Sequence, residues 1–243
     1  MIIDCHVHVK AGDTPRREFS GDFIVARMDE AGIDRSVVFA ICLPARESNE
    51  MVHREVQKFP DRLIGFAHAL PAYEHPVTEE IRRAVEEHGF RGIKIHAGEC
   101  SLEFVDIGPV IETAIALDVP CLFDCANHYP AMERIVCRYP EARIIVAHLG
   151  SPAANEGIMD QFIRLAKEKA NLYLDTSYIR TPWKIGEAVR EAGAHKILFG
   201  SDGPLIHPRI ELTKIEVLKL AEKDRQNVLW KNAARLLKLS PST

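Results

Sequence analysis

The chain has 243 residues, 47% of them hydrophobic and 27% charged, with a formal net charge of −4. That balance gives no electrostatic reason to expect nucleic acid or an anionic membrane as a partner. No apolar run approaches the ~18 residues of a membrane span, and the opening MIIDCHVHV lacks the basic and apolar regions of a secretory signal, so a cytoplasmic protein is expected.

Short runs rich in Val, Ile and Leu recur along the chain and read as eight strands: 2–9, 35–43, 62–70, 90–98, 119–127, 143–150, 171–178 and 196–204. Most are apolar on both faces, as strands covered by helices must be. Between them, 21–32 and 77–89 read as helices with glycine stops, Thr78 being a candidate cap for the second. Helical stretches follow at 107–118, 130–139, 155–170 and 182–193, and the segment from about 208 to 238 carries one or two more. Strand and helix alternating eight times predicts an α/β fold, a single-domain (β/α)8 TIM barrel over 1–243, with a doubly wound open sheet as the rival. The six cysteines form no CxxC pair and sit largely within apolar runs, which predicts buried, reduced thiols.

The first strand carries His6-Val7-His8. Residues two apart on a strand share a face, so both imidazoles can converge on a divalent metal. Alternation puts Asp4 on that face, in a supporting role, and Cys5 on the opposite one. His148 ends the sixth run and Asp202 the eighth, at the rim where barrel enzymes place their chemistry. Asp202 is thereby a candidate metal ligand and general base, although an aspartate before Gly-Pro is ordinarily a turn residue. On the fourth run, Lys94 and His96 share a face. Lys94 is either a cation for a substrate carboxylate or half of a buried ion pair with Asp124 or Glu99. In the seventh run Asp175 reads as a structural hydrogen-bonding group, and Arg180, on the loop beyond, as a bidentate carboxylate binder.

His6-Val7-His8, the AHLG around His148 and the GSDGP around Asp202, taken with the late NVLWKNAARLLKL, resemble the amidohydrolase superfamily. The similarity runs the length of the chain. It is to the amidohydrolase-related branch that holds aminocarboxymuconate-semialdehyde decarboxylase and 2-pyrone-4,6-dicarboxylate lactonase. The resemblance implies a barrel with one divalent metal ion at its C-terminal mouth, zinc first, with manganese, cobalt or iron also suited to mixed nitrogen and oxygen ligands. His6 and His8 would be ligands, Asp202 ligand and base, and His148 a polarising or proton-transferring group. Metal-holding members usually carry a histidine at the end of strand 5, where this chain has Asp124. A carboxylate can ligate zinc or manganese, so Asp124 joins the expected metal set, with His128 as the other candidate.

The expected activity is metal-dependent hydrolysis of an amide, lactone or ester carbonyl in a small carboxylate-bearing substrate, or non-oxidative decarboxylation. The rivals are a metal-independent lactonase using the same four residues, and a degenerate ligand-binding barrel. A homo-oligomer is compatible with the sequence, which shows no interface.

Overall fold

A computed structural model describes residues 1–14, 17–152 and 155–239. Its strands are β1 (Ile3–Lys10), β2 (Arg35–Ala40), β3 (Leu63–Gly65), β4 (Ala67–His68), β5 (Ile93–His96), β6 (Cys121–Asp124), β7 (Ile144–Val146), β8 (Leu172–Asp175) and β9 (Ile197–Leu198). All pairs are parallel, in the orders β1-β2-β3 and β4 through β9. The two sheets are one barrel. β3 and β4 are a single stave interrupted at Phe66, whose N–H bonds Val38 O while Ala67 N–H bonds Gly92 O. The ring closes where Cys5 N–H reaches Phe199 O at 2.9 Å and His8 N–H reaches Gly203 O at 2.7 Å. The eight-stave barrel expected from the runs is therefore what the chain forms.

The helices that cover it are α1 (Gly21–Ala31), α2 (Ala45–Lys58), α3 (Val77–Glu86), α4 (Gly108–Ala116) and α5 (Tyr129–Arg138). They continue with α6 (Glu156–Glu168), α7 (Pro182–Glu191), α8 (Pro208–Val217), α9 (Glu222–Gln226) and α10 (Asn232–Leu236). Local chemistry sets their ends. Ser20 Oγ accepts from Phe23 N–H at the start of α1, and Gly32 takes φ 73° at its end, a conformation glycine adopts without a Cβ penalty. Thr78 is not a cap: it lies inside α3, whose cap position is Pro76. A proline there pre-sets the backbone torsion and has no N–H to satisfy. Among the described residues no helix is long and apolar enough to cross a membrane.

Apolar residues divide into two layers. Val7, Val38, Phe123, Val146 and Leu174 pack outward on Ile24, Met132 and Phe162 of the helices. Ile3, Cys5, Phe39, Phe66, Leu122 and Leu198 fill the interior, with Leu236 and Leu237 closing the end where the strands begin. Each such buried side chain contributes about 1.5–3 kcal/mol. The chemistry is thus left to the other end.

One irregularity in β1 decides which side chains reach the site. Asp4 pairs with Ser36 but Val7 pairs with Val38, so one extra residue is accommodated between them. This β-bulge breaks the two-residue alternation. Cys5 therefore packs in the interior cluster rather than on the opposite face. Asp4, expected beside the histidines, lies among the outward-facing groups and accepts from Ser201 N–H (2.9 Å), Ser201 Oγ–H (2.5 Å) and His6 N–H (3.1 Å). It ties the first strand to the segment after the last.

Candidate active site

The strands deliver their polar residues to the C-terminal mouth, and several do so through left-handed backbone. His148 and Leu149 (φ 58° and 48°), Tyr178 (56°) and Asp202 (60°) all follow strand ends. β7 stops at Val146, so His148 sits in a tight turn rather than on the strand itself. Gly150 makes that turn fit: a Cβ there would lie 1.9 Å from the Phe162 ring on α6.

Asp175, the last residue of β8, organises the centre. Its Oδ2 accepts from His6 Nδ1 at 2.8 Å, and its Oδ1 accepts from His148 N–H, Ser177 N–H and Ser177 Oγ–H. Burial raises its pKa, but the neighbouring imidazoles and hydrogen bonds outweigh that and hold it at about 2. With an acceptor on Nδ1, His6 carries its proton there and turns the Nε2 lone pair inward. Burial, with Lys94 nearby, lowers the His6 pKa to about 4, so the ring is neutral at physiological pH. His148 is held by the same residues but differs in charge: Nδ1 donates to Ser177 O at 3.0 Å, Nε2 lies 3.4 Å from Asp124 Oδ2, and although burial opposes its charge, Asp124, Asp175 and Asp202 raise its pKa to about 9.

Asp202 Oδ1 lies 3.0 Å from His8 Nε2 and 3.5 Å from His6 Nε2. Burial works against its charge, but His8, His6 and His148 keep it well below the usual carboxylate range. Ligand atoms of His6, His148 and Asp202 all fall within 4.8 Å of one another, the one such group among the described residues. His8 adjoins it through Asp202, and its Nδ1 is buried without a partner among the described residues. Asp124 stands across His148, 3.4 Å from His96 Nε2 as well. Burial opposes its ionisation, yet His148, His96 and Lys94 lower its pKa strongly.

Lys94 is fully buried. Its Nζ lies 3.4 Å from His6 Nε2 and 4.4 Å from the Phe39 ring centroid, and no ion pair joins it to Asp124 or Glu99 among the described residues. Burial lowers its pKa against the pull of the surrounding carboxylates. Glu99 is engaged instead by Cys42 N–H (2.8 Å) and His68 Nε2 (3.0 Å). Arg180 is exposed on the loop beyond β8. His128 is half-buried and 3.8 Å from Glu103, so its ion-pair partner is outside the cluster. Asp175 is the structural hydrogen-bonding group expected from the sequence, but that it joins His6 to His148 is visible only in the fold. Asp175 does end a strand in parity with the rim, which was the available signal.

A barrel with imidazoles and carboxylates converging at its C-terminal mouth defines a class, the metal-type barrel enzymes. The amidohydrolase family profile matches residues 3–239, and the chain belongs to that family. It is an enzyme whose curated relatives include decarboxylases. The chain is 26% identical to the gamma-resorcylate decarboxylase of a Polaromonas species, over 89% of this chain and 86% of that protein. It is 25% identical to the enzyme of the same name from a Rhizobium species, over 80% and 76%. Among solved structures, 2,6-dihydroxybenzoate decarboxylase complexed with 2,6-dihydroxybenzoate superposes with TM-score 0.81 at 20% identity, covering 98% of each chain. A Polaromonas dihydroxybenzoic acid decarboxylase with bound manganese and 2-nitroresorcinol gives 0.79 at 23%, covering 99% of this chain and 98% of the other.

Proposed function

We propose that this chain is a metal-dependent, non-oxidative decarboxylase acting on a small aromatic carboxylate. The observation that carries the reading is the convergence of His6, His148 and Asp202 within 4.8 Å, at the mouth of a fold shared with dihydroxybenzoate decarboxylases. The donor set fits one divalent cation. Asp124, Asp175 and Asp202 are buried carboxylates held anionic beside His6, His8 and His148, and such carboxylate and imidazole donors are those a divalent cation takes. His6, His148 and Asp202 would hold it, with His8 adjoining, and the mixed nitrogen and oxygen donors suit manganese as well as zinc. Bound there, it would supply Lewis-acid polarisation of a substrate carboxylate or phenolic oxygen.

The chain's own residues do the rest. Asp175 fixes the His6 tautomer, and Ser177 with its carbonyl orients the His148 ring. Decarboxylation replaces a C–C bond by a C–H bond: a proton reaches the carbon bearing the carboxylate, and CO2 leaves with the bonding pair left behind. His96 Nε2, paired with Asp124 Oδ2 and partly open to the mouth, can deliver that proton and be recharged from solvent. Asp202, kept anionic, can accept a substrate hydroxyl proton at Oδ. To Lys94, buried beside His6, and Arg180, on the loop beyond β8, we assign the binding of the substrate carboxylate. The same anionic Asp202 could instead activate water against a lactone or ester, which makes hydrolysis the second reading.

Elemental analysis and a CO2-release assay with 2,6-dihydroxybenzoate test this together. Wild type should carry about one equivalent of a divalent metal, lost in His6→Ala. Asp202→Asn should lower turnover by roughly 10²–10⁴-fold while remaining folded. Metal-replete protein that releases no CO2 but opens lactones would transfer the assignment to hydrolysis. Protein that takes up neither manganese nor zinc would end the metal-dependent reading.

A further inference from the structure

Tyr178 stands in a conformation that large side chains seldom adopt. At φ 56° its Cβ crowds the backbone, a conformation more common for glycine, asparagine or aspartate. Its side chain does not repay this by burial, being 41% exposed. The ring's aromatic neighbour is His148, edge-on at 6.0 Å between centroids and 73° between planes.

The residues on either side are tied down. Ser177 is bonded through its N–H and hydroxyl to Asp175 and through its carbonyl to His148 Nδ1. Ile179 is buried, and its carbonyl accepts from Lys214 Nζ of α8 at 2.6 Å. Lys214 is in turn held by the buried carboxylate of Glu211 at 2.5 Å. The surroundings thus impose the strained backbone and aim a half-open phenol ring over a residue of the metal cluster. Strain maintained this way, with little return in the free protein, belongs to residues that act in a complex.

We propose that Tyr178 is a specificity-determining residue: its ring is one wall of the mouth, and the flat ring of an aromatic carboxylate packs against it above His148. The inference rests on the decarboxylase reading and deepens it, predicting preference for planar aromatic acids over aliphatic acids of equal charge.

The experiment measures KM, kcat and melting temperature for the metal-loaded full chain with 2,6-dihydroxybenzoate, comparing wild type, Tyr178→Phe and Tyr178→Asn. Asparagine tolerates the left-handed backbone, so it removes the ring without adding strain. The expected result is KM raised roughly five- to tenfold in Tyr178→Asn, the worth of an aromatic contact, with kcat changing less and melting temperature no lower than wild type. Tyr178→Phe should restore KM to within about twofold of wild type. Unchanged KM in Tyr178→Asn, equal losses in both variants, or a lower melting temperature in Tyr178→Asn would each overturn the wall. Wild type that neither binds nor turns over the probe would overturn the functional reading and this inference with it, and that outcome shows before any variant is made.

Discussion

Asp175 is fully buried, and its two oxygens serve His6, His148 and Ser177. Changing it to asparagine would present N–H groups to the His6 Nδ1–H. The ring would then move its proton to Nε2, the atom we propose as a metal ligand. Metal affinity should fall roughly 10–100-fold, the usual cost of losing such a partner. Competition against a chromophoric chelator would measure it, and an Asp175→Asn protein with undiminished affinity would show that His6 needs no help in choosing its tautomer.

At the level of elements, the turn after β7 and the helix α8 each make a separable contribution. Gly150→Ala places a methyl group into the Phe162 ring of α6 at a position of φ 91°. Overpacking and left-handed strain together should cost about 3 kcal/mol. For a chain of this size that is a melting temperature lower by roughly 8 °C. A variant melting with wild type would mean that α6 gives way freely.

On α8, Glu211 is 2% exposed and its Oε2 has no partner among the described residues. Burial raises its pKa from 4.5 to about 7 despite Lys214. The folded state therefore holds a proton that the unfolded chain has released, and stability from this group is full below pH 4.5 and is lost as pH rises toward 7 and beyond. Glu211→Gln removes that dependence. Its stability relative to wild type should improve by about 3 kcal/mol between pH 4.5 and pH 8, measured by urea unfolding at each pH. A constant difference across that range would show that Glu211 is ionised throughout.

Across the whole molecule, the barrel was legible because a strand buried on both faces must be written in Val, Ile and Leu, and the helices between them carry their own stop signals. His6, His8, His148 and Asp202 were legible as residues at strand ends. What the pattern could not express is the bulge in β1, since one extra residue leaves composition and spacing untouched while exchanging the faces of Asp4 and Cys5. Nor could it express contacts between distant segments. Asp175 meets His6 across 169 positions, and Lys214 meets Ile179 from a neighbouring helix. Such partners are set by the closed ring rather than by any local preference.

The clamp between Asp4 and Ser201 has a consequence for how the protein is made. The two residues are 197 positions apart, and His6 and Asp202 are joined over nearly the same span. During synthesis the ribosome exposes β1 long before Asp202, so the histidines of β1 stay unmatched until the last strand has emerged. Contacts of such high sequence separation form late and slowly. The convergence of His6, His148 and Asp202 is therefore a product of completed folding, and a nascent chain offers no finished site before the barrel has closed.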